Sequence, residues 1–194
     1  MATHLLKTPP RSADLIFVLA GRDYRKLYAL KLFQQGLAPK ILFSVSRFEI
    51  RRFSKMPLPT SLDLVNVASG VPPAERHFFV LFEGANVQVT YVQPHRFGTL
   101  TEIESLARWL AGHRDVRSVL LISSSPHLRR VGICCRFLLG RDLEIILTSP
   151  PTQPRSAEKL GPLTAACLES LKTLAYGVVL TVRRVRPRNK RTRL

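Results

Sequence analysis

The chain has 194 residues, 45% of them hydrophobic and 8% aromatic, with a formal net charge of +17. That length supports one sizeable core and argues against two full domains; no apolar run approaches the ~18–20 residues of a membrane-spanning helix, and the first twelve residues lack the apolar segment of a secretory signal. Three cysteines, two of them adjacent at Cys134 and Cys135, fit neither a disulfide framework nor zinc-ligand spacing, so reduced thiols in a cytoplasmic protein without a metal site are the expectation.

Residues 1–12 read as a flexible leader and residues 13–182 as one domain. Residues 14–20, DLIFVLA, are nearly all apolar, the pattern of a strand covered on both faces, and Gly21 ends it. Residues 22–35 predict a helix that packs through Tyr24, Leu27, Tyr28 and Leu30 and stops at Gly36. A short strand over residues 40–43 runs out into Ser44, Val45 and Ser46. Residues 47–55 are basic and irregular, and Pro57 with Pro59 marks a surface loop. A modest helix is expected within residues 60–69. Residues 77–82 and 87–92 both resemble strands, separated by a Glu83-Gly84-Ala85-Asn86 turn. One of the two suffices for the main sheet, and 87–92 is preferred because a helix follows it.

Residues 99–111 give the clearest helix, with Leu100, Ile103, Leu106, Ala107 and Leu110 on one face and a capping-box pattern of Thr99 with Glu102. Residues 119–122 form another buried strand, after which Ser123, Ser124, Ser125 and Pro126 turn the chain into a helix carrying Leu128, Val131, Cys135 and Leu138. A last strand over residues 143–147 and a proline-rich loop over 148–154 precede a closing helix through Leu163, Cys167, Leu171, Leu174 and Val178. Seven positive charges and no acid occupy residues 183–194, a disordered tail able to hold an anionic membrane or nucleic acid by electrostatics alone, or simply to solubilise the chain.

Apolar strands alternating with amphipathic helices imply crossover connections. The expected fold is α/β, a single three-layer Rossmann-like domain with a mostly parallel sheet of about five strands and helices on both faces. Ligands bind such sheets beyond the carboxyl ends of the strands. That rule gathers Gly21, Arg22 and Arg25, Ser44 and Ser46, His95, Arg96 and Thr99, Ser123 to His127 with Arg129 and Arg130, and Thr148 with Ser149 around one crevice, with Glu49 and Glu102 as the nearest acids.

The ordered series Ala13-Asp14, strand, Gly21, Arg25, Ala29-Leu30, Gly36, Ala38-Pro39-Lys40, strand into Ser44 continues with Gly70-Val71-Pro72 and Thr99 with Glu102. It ends with SSSPHLRR, containing His127 and Arg130, and with Glu169, Lys172 and Tyr176. Over most of residues 13–177 it resembles the bacterial SanA/YdcF/ElyC family, a domain of largely unknown function. The resemblance implies a YdcF-like protein that binds a phosphorylated, nucleotide-like or S-adenosylmethionine-like small molecule, with hydrolase or transferase activity as one outcome. The family's envelope ties imply a peripheral position at the inner membrane. Where the family usually has Gly-Gly and Ser-Gly-Gly after its first two strands, this chain has Ala20-Gly21 and Ser44-Val45-Ser46, and Val45 obstructs a phosphate if it occupies that turn.

The candidate ligand set is therefore Gly21, Arg22, Arg25, Ser44, Ser46, Thr99, Glu102, Ser123, Ser124, Ser125, His127 and Arg130. His127 is the candidate general acid or base, since an imidazole titrates near neutrality; its plainer role is to cap its helix or hold a phosphate. No G-x-S-x-G elbow surrounds the serines, and capping accounts for at least one of them. Arg130 has the planar fork that matches phosphate or carboxylate. The competing function is a non-catalytic envelope-associated or nucleic-acid-binding accessory protein acting through its basic surface.

Overall fold

The computed structural model describes residues 8–93, 98–140 and 142–151. Six strands form one sheet: β1 (Leu15–Val18), β2 (Lys40–Ser46), β3 (His77–Glu83), β4 (Asn86–Tyr91), β5 (Ser118–Ile122) and β6 (Glu144–Thr148), in the spatial order β4-β3-β2-β1-β5-β6. β1 pairs in parallel with β2 and β5, and β5 with β6, while β3 is antiparallel to both its neighbours. Five strands thus point one way and only β3 is reversed, so the domain is a Rossmann-like α/β sheet with one strand more than expected.

The extra strand comes from the hairpin. Both of its arms join the sheet: Gly84 at φ 56° makes the tight turn, β3 pairs with β2 over its whole length, and β4 pairs with the other side of β3. β4 is the edge, and only Val87 and Val89 face inward from it. Being antiparallel to β3, β4 leaves the sheet at the same end as β1, β2, β5 and β6.

Helices cover both faces. On one lie α1 (Asp23–Gln34) and the single-turn α2 (Ile50–Phe53) and α3 (Leu64–Val67), packing Ala29, Leu30, Phe53 and Leu64 on Ile16, Phe43 and Val45. On the other, α4 (Gly98–Ala111) and α5 (Leu128–Leu138) set Leu100, Ile103, Leu106 and Val131 against Phe17, Leu42 and Leu121.

Several local expectations are revised. Residues 47–55 are not wholly irregular, since α2 forms there around the fully buried Phe53. The helix expected within residues 60–69 shrinks to α3, capped by Asp63, followed by a 3-10 turn over Ala68–Gly70. α1 buries Arg25, Lys26, Ala29, Leu30 and Leu32, whereas Leu27 is exposed. β2 continues through Ser46, so Val45 is a buried strand residue facing α1 rather than part of a turn, and it obstructs no loop. The closing helix, Cys167 and the basic tail lie outside the described residues.

Candidate functional site

In the parallel part of the sheet the order β2-β1-β5-β6 reverses direction between β1 and β5. Connections leave these two adjacent strands toward opposite faces, which opens a crevice at their carboxyl ends. Arg25 fills the floor of it. Its Nη2 donates to the Ala20 carbonyl at 2.8 Å and its Nη1 reaches the Ser123 hydroxyl at 3.4 Å, so one guanidinium ties the ends of β1 and β5 together. Gly21 makes room for that. It sits at φ 134°, and a Cβ there would lie 1.7 Å from Arg25 Nη2.

Behind Arg25 lies a buried polar network. Glu102, from the second turn of α4, accepts the Ala20 N–H at 2.7 Å and also meets the Ser44 hydroxyl. It is turned into the sheet rather than back onto the start of its helix, so the capping-box reading of Thr99 with Glu102 does not describe it. Ser44 Oγ lies 2.7 Å from His77 Nε2. Ser46 donates to Glu49 at 2.6 Å, and Glu49 forms a fully buried ion pair with Lys26. Two cations and two carboxylates thereby neutralise one another in a space from which water is excluded.

Burial sets the protonation of these groups. It holds Lys26 below the usual ammonium range, although the Glu49 carboxylate opposes this. It pushes the Glu102 carboxyl up, against hydrogen bonds from Ser44 and Ala20. It lowers His77 to about 4, so this imidazole is neutral at pH 7. When Glu102 is ionised, the Ser44 O–H can donate to the carboxylate while its oxygen accepts from His77 Nε2–H.

Toward solvent, each of the two strand ends joined by Arg25 leads into a helix start. Arg22 is the N-cap of α1 and Ser124 that of the 3-10 turn Ser125–His127 leading into α5, and neither makes a side-chain capping bond. Helix capping therefore does not explain the serines. Ser123 receives Arg25, Ser124 is buried, and Ser125 is exposed. His127 is half-buried, with Arg130 Nη2 3.4 Å from its Nδ1. The backbone N–H groups of two helix starts and the guanidiniums of Arg22, Arg25 and Arg130 all belong to this rim, a setting suited to negative charge. Asp23 in the first turn of α1 offsets part of it. Arg25 Nε on the floor and Ser149 Oγ after β6 are buried without a hydrogen-bond partner among the described residues.

The predicted residues thus divide. Gly21, Arg25, Glu102, Ser44 and Ser123 form the buried floor, while Arg22, Ser124, Ser125, His127 and Arg130 form the lip. Ser46 turns to Glu49, and Thr99 lies half-buried in the first turn of α4. His95 and Arg96 lie outside the described residues. Lys26 and His77 were not anticipated. His77 opens a strand whose apolar run masks it, but its place in the alternation with Phe79 and Leu81 puts it on the face of Ser44. A cavity of about 560 Å³ lies elsewhere, between α5 and β6, with Arg129 and Arg136 on walls that are otherwise mostly apolar, Ile133, Leu139, Leu143, Ile145 and Leu147 among them. Among the described residues no group of three or more His, Cys, Asp or Glu could hold a metal ion. Comparison with protein-family models, curated proteins and solved structures finds no match to this chain.

Proposed function

We propose that this protein binds a small anionic molecule, phosphorylated and nucleotide-like, in the crevice between the ends of β1 and β5. The observation that carries this reading is Arg25, which spans the switch point where β1 and β5 each lead into a helix start. A buried donor without a partner at that spot is what a ligand oxygen or an ordered water would satisfy. S-adenosylmethionine offers such a site one carboxylate and carries its own sulfonium charge, so a phosphate-bearing ligand fits the guanidiniums better. The sequence resemblance to the YdcF-like family supports the same location through His127 and Arg130.

His127 is the group that would move a proton if the bound molecule reacts. It is the half-buried imidazole of the rim, whereas His77 is buried and neutral. A hydrolase or transferase follows if a phosphate ester is cleaved there, and a binding protein if it is not. The alternative is a non-catalytic envelope-associated or nucleic-acid-binding accessory protein acting through its basic surface, whose most basic stretch, residues 183–194, lies outside the described residues.

Nucleoside mono-, di- and triphosphates, sugar phosphates and S-adenosylmethionine should be screened by thermal shift. A phosphate-bearing compound is expected to raise the melting temperature, by about 2.7 kcal/mol of added stability at one hundred times its Kd. Arg130→Ala should abolish that rise, while His127→Ala should keep binding and remove any turnover. A rise that persists in Arg130→Ala overturns the assignment of the site.

A further inference from the structure

A second pocket opens beyond the end of β2, on the face covered by α2 and α3. It holds about 180 Å³, with Arg47, Arg51 and Arg76 around a floor of Ile50, Val65 and Ala68. Phe48 stands at its edge, 74% exposed, with the Arg47 guanidinium 4.5 Å from the centre of its ring. An exposed phenyl of this size loses the benefit of burial, and its cation on one side leaves the ring able to stack on another flat group.

The arginines are not there to neutralise acids. Of arginines 47, 51, 52 and 76, only Arg52 has a carboxylate within the 4.0 Å ion-pair limit among the described residues, Asp23 at 3.7 Å. The neighbouring carboxylates are otherwise engaged: Glu49 holds Lys26, Asp63 accepts two backbone N–H groups at 3.1 Å each, and Glu75 meets Tyr91. Arg76 is anchored by its Nε, which donates to the Val71 carbonyl at 2.8 Å and fixes the direction of its fork. The result is a small apolar floor ringed by positive charge, beside an exposed aromatic ring.

We infer that this pocket binds a nucleotide unit, its phosphate on Arg47, Arg51 and Arg76 and its base stacked on Phe48. The volume is below the ~300–1,000 Å³ that encloses a drug-sized ligand, so one part enters and the rest lies outside along Phe48. An acidic peptide would satisfy the arginines but leave Phe48 unused, whereas a nucleotide carries an anion and a ring together. The unit comes from a free nucleotide or from a single-stranded nucleic acid, and both offer the same chemistry. This site is separate from the crevice at β1 and β5, and it stands whether or not that crevice binds anything.

The test is titration of the full chain with adenosine and uridine monophosphates, a six-nucleotide single strand and an acidic hexapeptide, in parallel for five variants. Arg51→Ala should weaken nucleotide binding about tenfold or more, and Phe48→Ala about fivefold or more, with Phe48→Trp restoring it. Arg114→Ala removes an equal charge from the opposite end of the sheet and should change nothing. Arg130→Ala should leave this binding in place even if it abolishes binding in the crevice. A single strand that binds tenfold tighter than the monophosphate identifies nucleic acid as the source, and equal affinities identify free nucleotides; both uphold the pocket. The inference is overturned if Arg114→Ala weakens binding as much as Arg51→Ala, if Phe48→Ala leaves every affinity unchanged, if the peptide binds as tightly as the nucleotides, or if none of the probes binds.

Discussion

The two ends of the same sheet treat polar residues in opposite ways. At the amino end, where β1, β2 and β5 begin, Asp14 accepts N–H bonds from Arg117 and Ser118 at 2.8 Å each and a third from the Ser118 hydroxyl. These bonds hold its carboxyl below the usual carboxylate range. Beside it Lys40 bridges Asp115 and Glu83, both of which are largely exposed. These groups join the neighbouring strands at that edge, and Asp115 and Glu83 remain within reach of water. At the carboxyl end Arg25, Lys26, Glu49, His77 and Glu102 are buried and connect a helix, two strand ends, a loop and a second helix. Tying strand starts together needs only exposed polar groups. Burying five ionisable groups has a large desolvation cost, and that cost is concentrated at one end of the sheet, the end where the ligand crevice is proposed.

The largest effect that would test this contrast is Lys26→Met. It leaves the Glu49 carboxylate buried without its cation and should destabilise the protein by about 3–5 kcal/mol in urea unfolding. Replacing both partners, Lys26→Met with Glu49→Leu, should recover most of that loss. A single variant as stable as the wild type would mean that water reaches Glu49 and that the two ends do not differ in burial.

A smaller effect distinguishes them by pH. The folded His77 is lowered to about 4 from an ordinary 6.5, so between these values the unfolded chain binds a proton that the folded chain refuses. Its contribution is complete above about pH 6.5 and is lost as pH falls, by about 3 kcal/mol at pH 4. Glu102 acts in the opposite sense: burial raises its folded value, so its contribution fades as pH rises through that value. His77→Gln should flatten the acid limb of a stability profile measured from pH 7 to 4.5. An unaltered limb would remove His77 from the buried network.

How much of this could be read from the residues follows from what each signal depends on. The β1, β5 and α4 segments announce themselves by apolar runs or helical spacing, and all three occur where expected. The switch-point rule then brings Gly21, Arg25, Ser123 and Glu102 together without any knowledge of coordinates. Lys26 was illegible because α1 has no strong apolar stripe: Leu27 looks like a core residue, yet the helix is rotated so that Arg25 and Lys26 face the sheet. The partner that receives Lys26, Glu49, lies 23 residues away, beyond the reach of any local pattern. β3 and β4 were separable as a hairpin but not as sheet members, since their place depends on pairing with β2 rather than on their own pattern. The roles of Ser44 and Val45 were likewise set by how far β2 extends, and a pair of serines gives no sign that pairing with Phe79 and Phe78 carries the strand on to Ser46.

The smallest expected effect belongs to the amino end. Lys40 pairs with Asp115 and Glu83, and burial opposes those carboxylates only weakly, so its pKa is raised and not lowered. The contrast with Lys26 is one of environment, since both are lysines facing carboxylates. Exposed ion pairs gain little over hydration and are screened by salt. Lys40→Met should therefore leave the urea midpoint unchanged at physiological ionic strength, with any small loss confined to low salt, and ligand binding at either proposed site should be unaffected. A loss comparable to that of Lys26→Met would show that a lysine–carboxylate pair has the same weight at both ends of the sheet, and burial would then no longer distinguish the carboxyl end from the amino end.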